Sequence, residues 1–354
     1  MVMRLTGLGN SCFRRPLFQL PFHVLHYLSI MKLSTAIFLL CPALPAVAQT
    51  TSTGSAPAYP VRPLRMMVPA AAAGVTDIAA RVLTPHLSEA LGQSVVVDNR
   101  AGAGGIIGTD TVAKATPDGY TLITVFDSFV SNPHVFTKIP YDTLKDFAPI
   151  SLLIRGPQIF VATPKLGVKT FAEFVAAAKA RPGTIRYATA GAATSSRLSV
   201  ELFKSLSNLD GTTIFFKGGG PALNDLLGGH VDVMIASAGL VLSHVKSGRL
   251  HALAVSSRQR SPLAPGVPSL SEFYPQFEAQ SWVGMLAPAA TPHAIVQRLN
   301  TEVNKILVNG EVKERLSTLG YETVGGSPQQ FGEWLRSESV KWGKVIRDNH
   351  ITAE

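Results

Sequence analysis

The chain has 354 residues, with 32 Lys+Arg, 23 Asp+Glu, nine His and two Cys, and 46% of it is apolar. That length suits two ordinary domains, and the composition is too apolar and too weakly charged for a disordered protein. Four basic residues (Arg4, Arg14, Arg15, Lys32) and no acidic ones fall in 1–48, leaving 28 basic against 23 acidic, a net +5 rather than +9, which gives no reason to expect nucleic acid as a partner.

From Met31 the sequence reads Met-Lys, a mostly apolar run from Leu33 to Val47, and then Ala46-Val47-Ala48 before Gln49. A positive start, a short apolar segment and small residues at the A-x-A positions describe a secretory signal, with cleavage expected after Ala48 and an exported mature protein. Pro42 and Pro45 break the run as a membrane span, although Leu17–Ile30 ahead of it is also apolar and offers an uncleaved anchor as the alternative. Residues 1–30 are either an over-long charged region or follow an upstream start that is not used. Both cysteines, Cys12 and Cys41, lie in this leader, and Leu40 is too large for the position before a lipidated cysteine. The mature chain is therefore expected to hold no disulfide and no thiol chemistry. Residues 49–58, rich in Thr, Ser and Ala, read as a flexible linker.

Beyond Tyr59 short apolar strands alternate with amphipathic helices, the pattern of an α/β sheet covered on both faces. Leu64–Pro69 reads as a strand and Thr76–Leu91 as a helix, with Pro85 predicting a kink or a late start. Ser94–Val97 and Thr121–Val125 are the next strands. Ser151–Ile154 and Ile159–Thr163 read as an extended run broken by Gly156-Pro157, where the chain crosses to a second domain. Helices follow at Phe171–Ala180, Ser196–Leu206 and Gly218–Leu227, with strands at Ile185–Thr189, Thr213–Phe216, Val231–Ile235 and His251–Val255. The chain crosses back around Ser281–Ala287, with Trp282 read as core. Thr291-Pro292 opens a helix to about Val308 with Pro at its first position, and Ser327 with Gln330 forms a capping box for another.

Two segments, Arg65–Leu91 and Ile185–Leu206, share one order: strand, small-residue loop, Thr or Ser, helix. The loops are Ala70-Ala71-Ala72-Ala73-Gly74-Val75-Thr76-Asp77 and Ala190-Gly191-Ala192-Ala193-Thr194-Ser195-Ser196. Small side chains admit a ligand to the backbone, and a helix start presents unpaired N–H groups and the positive end of its dipole. Each loop alone reads as a plain connection; one in each domain points to a shared anion-binding cleft. Asp77 reads equally as a cap and as an acceptor for a ligand hydroxyl or amine. Lys217, before Gly218-Gly219-Gly220, reads as a surface lysine or as a partner for an acidic ligand.

Other chemistries fit poorly. In Gly102-Ala103-Gly104-Gly105-Ile106-Ile107-Gly108 the third glycine of a dinucleotide fingerprint is Ile107, and Asp127 as a ribose ligand would need that fingerprint. A turn followed by close helix–sheet packing suits these glycines better. No GxSxG elbow, HExxH or paired histidine spacing is present, so no catalytic residue, cofactor or metal ligand is assigned.

From Tyr59 to the C-terminus the chain resembles the Bug-type substrate-binding receptors of tripartite tricarboxylate transporters. The resemblance rests on Gly74-Val75-Thr76-Asp77-Ile78-Ala79-Ala80-Arg81, Val97-Asp98-Asn99-Arg100-Ala101-Gly102-Ala103-Gly104-Gly105, Thr116-Pro117-Asp118-Gly119-Tyr120-Thr121-Leu122 and Ile139-Pro140-Tyr141-Asp142. Asp146-Phe147-Ala148-Pro149-Ile150, Lys217-Gly218, Pro221-Ala222-Leu223-Asn224-Asp225-Leu226-Leu227-Gly228-Gly229, Ser281-Trp282 and Leu286-Ala287-Pro288 extend it.

It implies an α/β, two-lobed periplasmic binding protein of type II-like form. The lobes would be 59–155 plus 284–354 and 156–283, joined by two crossing strands, with the ligand cleft between them. Such a receptor, a monomer without cofactor, metal or nucleic acid, closes on a small carboxylate and delivers it to membrane permease subunits. The implied ligand-binding residues are Ala70, Gly74, Val75, Thr76, Asp77 and Ser128 in the first lobe, and Gly191, Thr194, Ser195, Ser196, Lys217 and Gly218 in the second. The chain departs from the family pattern at Ala70, Ala73, Ala192-Ala193, Arg197, Phe216 and Ala236, which points to a different ligand, larger or less polar. Two alternatives remain at this stage: a ligand sensor signalling to a regulatory membrane partner, and a secreted hydrolase using Ser195 or Ser196, for which no histidine base is legible.

Overall fold

The computed structural model describes residues 59–353 apart from Ala73; the expected leader, its cleavage site, both cysteines and the linker lie outside the described residues. The first half of the chain builds β1 (Leu64–Val68), α1 (Val75–Leu91), β2 (Val95–Asn99), α2 (Ile106–Ala113), β3 (Thr121–Phe126), α3 (Ser128–Val135) and β4 (Phe147–Ala162). Next come α4 (Phe171–Ala180), β5 (Arg186–Thr189), α5 (Ser195–Ser207), β6 (Thr212–Phe215), α6 (Gly219–Gly228), β7 (Val233–Ser237), α7 (Ala238–Lys246) and β8 (His251–Val255). The chain ends with β9 (Gln280–Pro288), α8 (His293–Leu307), α9 (Gly310–Thr318), β10 (Glu322–Gly325) and α10 (Pro328–Asp348).

The sheet order is β2-β1-β3-β9-β4-β7-β5-β6, with β8 and β10 also pairing β4. The apolar runs explain it: β1 reads Leu-Arg-Met-Met-Val and is buried almost throughout, as a parallel strand covered by helices on both faces must be. The helix α1 starts at Val75 and passes through Pro85, so no late start occurs. Val82, Leu83 and Leu87 are buried around the proline, and that packing outweighs the hydrogen bond the ring removes. Pro292 sits at the cap before α8 rather than at its first helical position, whereas the Ser327 and Gln330 capping box forms in both directions.

The expected break at Gly156-Pro157 does not exist: β4 is one strand of 16 residues. Its ladder with β9 continues through Gly156 opposite Ser281 and Pro157 opposite Gln280. From Gln158 onward the same strand pairs β7 on one edge and β8 on the other. Proline, which has no N–H to give a ladder, stands where the pairing partner changes. Glycine is required one residue earlier, since a Cβ on Gly156 would lie 2.4 Å from the carbonyl oxygen of Gly320.

This pairing sets the geometry of the site. In the first half of the sheet β1, β2 and β3 are parallel, and β3 and β4 both run antiparallel to β9. In the second half β5, β6 and β7 are parallel, and β7 runs antiparallel to β4. The carboxyl ends of the two parallel sets therefore face each other along β4. Phe126 at the end of β3 shares Val283 as a neighbour level with Ile154, and Ser237 at the end of β7 is level with Gln158. Four residues of strand separate those levels, roughly 13 Å. Trp282, fully buried against Phe331, is core, not a ligand platform.

Candidate functional site

Ligands of open α/β sheets bind at the carboxyl ends of strands, and here those ends carry the loops singled out from the sequence. In the first half the chain leaves β1 through Ala70 and enters α1 at Gly74, which is extended (φ −77°, ψ 165°) and offers no side-chain cap to the first amides of the helix. Thr76 and Asp77 are buried, while Gly74 and Val75 are half-buried. Asp77 accepts from Arg81 Nε at 2.9 and 3.0 Å and from Asn99 Nδ2 at 3.0 Å. Asn99 Nδ2 also donates to the carbonyl of Ala70 at 3.2 Å. The carboxylate thus ties the start of α1 to the end of β2 and lies where the helix dipole favours negative charge.

Beside this, Ser128 Oγ and Asn132 Nδ2 both donate to the carbonyl of Gly104, at 2.9 and 3.1 Å. The glycine-rich turn packs closely on the sheet, since a Cβ on Gly108 would come within 2.9 Å of Pro69 Cβ. Ala70, Asp77 and Ser128 are therefore joined through Asn99 and the turn at 102–105.

In the second half Thr194 is the residue before α5, but its hydroxyl bonds back to the carbonyl of Gly191 at 3.0 Å and leaves the helix amides uncapped by it. Ser196 Oγ donates to the carbonyl of Ile235 at 2.7 Å. Ser195 Oγ accepts from Gln158 Nε2 at 2.9 Å, and Ser199 Oγ donates to Gln158 Oε1 at 2.5 Å. Lys217 stands exposed past the end of β6, without an ion pair among the described residues, and Gly218 precedes α6 with φ +121°.

The two halves meet at Asp127. Its carboxylate, buried between β3 and α3, accepts from the backbone N–H of Ser195 at 3.2 Å, while Ser131 Oγ donates to the carbonyl of Ala193 at 2.6 Å. Burial pushes the Asp127 carboxyl up to about 6; hydrogen bonds from Ser195 and Ser128 restrain the rise and the charge of Glu338 adds to it. Hence one of the amides assigned to a ligand from the sequence is engaged by the chain's own carboxylate.

Arg197 does not add a cation to the cleft. Its Nη1 donates to the carbonyls of Ala192 and Thr352 at 3.1 and 2.5 Å, and its guanidinium lies 4.5 Å over the Phe215 ring. A separate groove of about 580 Å³ runs along the crossing strands, with Arg155, Pro157, Gln280, Lys313 and Tyr321 in its walls and none of the expected ligand-binding residues. Among the described residues no three His, Cys, Asp or Glu side chains are grouped to hold a metal, and no helix is long and apolar enough to cross a membrane.

Sequence reasoning passed over Asn99, Ser131, Asn132 and Gln158 as site residues and weighed Asp127 only as a ribose ligand. The legible signal was position: Asn99 and Asp127 are polar residues at the carboxyl ends of apolar strands, and Gln158 interrupts an otherwise apolar run in β4.

Residues 79–351 match the tripartite tricarboxylate transporter family receptor, TctC. Protein BugT of Bordetella pertussis (strain Tohama I) is 39% identical over 306 residues, covering 86% of this chain and 94% of BugT. A UPF0065 protein in the tcbD-tcbE intergenic region of Pseudomonas sp. (strain P51) is 37% identical over 313 residues, covering 87% and 93%. Among solved structures, R. palustris Rpa4515 with adipate aligns at a TM-score of 0.79 and 33% identity, covering 83% of this chain and 99% of that one. MatC (Rpa3494) from Rhodopseudomonas palustris with bound malate aligns at 0.75 and 32%, covering 81% and 100%. The periplasmic binding protein BugD aligns at 0.76 and 33%, covering 83% and 99%.

Proposed function

Because the chain belongs to the tripartite tricarboxylate transporter receptor family, we propose that it is a periplasmic solute-binding receptor that captures a small carboxylate between two lobes and passes it to membrane permease subunits. The lobes are residues 59–155 with 284–354, and residues 156–283. The observation that carries this reading is the opposition of strand ends along β4, which turns the start of α1 and the start of α5 toward one region bridged by Asp127 and Ser195. Helix starts bind anions through amides that have no partner within the helix. The ligand carboxylate rests on the backbone at Gly74, Val75 and Thr76 beside Ala70 and Asp77, and its other end faces Ser128, Gly191, Thr194, Ser195 and Ser196, with Lys217 and Gly218 at the rim.

The adipate and malate bound by two related receptors support a carboxylate as the ligand class. Binding without chemistry suits the serines, because Ser195 Oγ is held by Gln158 and Ser196 Oγ by a backbone carbonyl, and among the described residues no histidine hydrogen-bonds either hydroxyl. The secretory pattern before Gln49 supports the periplasm.

Thermal unfolding of the mature protein against mono-, di- and tricarboxylates, aromatic acids and amino acids tests the proposal. A true ligand at one hundred times its Kd adds roughly 2.7 kcal/mol of stability, a rise of several degrees in Tm. If no acid in such a panel raises the Tm, the protein is not a carboxylate receptor.

A further inference from the structure

The second-lobe amide at Ser195 does not await a ligand anion, because an anion of the protein already lies on it. Asp127 is 4% exposed, and its Oδ1 lies 3.2 Å from Ser195 N. Ser128, which follows it, is one of the expected first-lobe binding residues, and the Asp127 carboxylate reaches from the end of β3 to the backbone N–H of Ser195 at the start of α5. Around it Gln158 holds Ser195 Oγ, Ser199 holds Gln158, and Ser131 holds Ala193. The position is therefore fixed from both lobes and from the crossing strand. The charged and titratable groups that face it are Glu338 of α10 and Tyr321 ahead of β10, an acid and a buried phenol; neither supplies a compensating positive charge.

We propose that Asp127 determines the charge of the ligand: the cleft takes an acid with one carboxylate at the start of α1 and a neutral or hydrogen-bond-donating far end, and it discriminates against a second carboxylate there. This rests on the carboxylate-receptor reading and deepens it. A second carboxylate reaching Ser195 must either displace Asp127 from its amide or lie beside a buried like charge, and both weaken binding. An ammonium, amide or hydroxyl at the same place meets an acceptor instead.

The test is titration calorimetry of wild type, Asp127→Asn and Asp127→Ser against acids of equal length that differ only at the far end, such as hexanoate, 6-aminohexanoate and adipate. Wild type at pH 7.5 is expected to bind the monocarboxylates more tightly than adipate. The asparagine variant is expected to shift the ratio at least tenfold toward adipate. Between pH 7.5 and 5, where the Asp127 carboxyl takes up its proton, the discrimination of wild type narrows and that of the variants does not. A purely structural role would leave the ratio and its pH profile unmoved. Wild type favouring adipate, or the same ratio in a folded variant that still binds acids, overturns the assignment of Asp127 alone. Failure of every acid to bind wild type and both variants overturns the receptor reading with it; if the asparagine variant does not fold, the serine variant gives the comparison.

Discussion

Asp127 is where charge, burial and connectivity coincide. Its carboxyl rises from an ordinary 3.8 to about 6 chiefly because burial penalises the charged form. The sign of the stability effect follows: between about pH 4 and pH 6 the folded state binds the proton that the unfolded chain releases, so the contribution of this group to stability is fully present below about pH 4 and is lost as pH rises through 6. Asp127→Asn keeps an acceptor for Ser195 N and removes that cost. Urea denaturation should find the variant more stable than wild type at pH 7, by up to about 3 kcal/mol, with the difference closing at pH 4. A variant less stable than wild type at pH 7 would mean that the charged bonds to Ser195 and Ser128 outweigh burial. Only the position of Asp127 at the end of a strand is legible in the sequence; its meaning comes from Ser195, 68 positions away. Asp77 shows the same limit, since its bonds to Arg81, one turn on, and to Asn99, at the end of β2, come from the fold.

At the scale of elements, long periodic segments were legible because burial on one face writes a pattern into the sequence. The helix α4 has the predicted bounds, and the capping box of α10 is the one read from Ser327 and Gln330. The short helices α3 and α7 were not, because they are eight and nine residues long and follow their strands without a turn signal. Pro133 inside α3 further hides it, and tertiary burial of Phe129, Val130 and Val135 holds it instead of propensity. The unbroken β4 was hidden for the converse reason: Gly156-Pro157 reads as punctuation, whereas close packing on Gly320 and a change of ladder partner require those residues. Gly156→Ala is accordingly expected to destabilise the fold by about 1–3 kcal/mol by driving a methyl into the carbonyl of Gly320, measured as a drop in the urea midpoint with an unchanged slope. An unchanged midpoint would show that the crossing strand tolerates bulk at this point.

For the whole molecule, the decisive feature is that one long strand carries two parallel sheets whose carboxyl ends oppose each other. On the proposed reading, a sheet with this topology offers helix starts from both halves to an anion without requiring a particular side chain, so side chains disclose little about the ligand. The family likeness and the two similar loops were visible from residues alone. The pairing that turns them toward each other was not, because register is a property of strands far apart in the chain.

The backbone itself offers the most direct test. Val75 is the first residue of α1, and Gly74 before it already has the extended conformation that a following proline demands. Val75→Pro therefore deletes one amide from the start of α1 while leaving the helix able to form. Calorimetric titration with whichever acid most raises the Tm of wild type should show at least roughly tenfold weaker binding by this variant, the loss of about one hydrogen bond to a charged group, with its Tm nearly unchanged. A folded Val75→Pro protein that binds the acid as tightly as wild type would contradict the claim that the helix start holds the carboxylate.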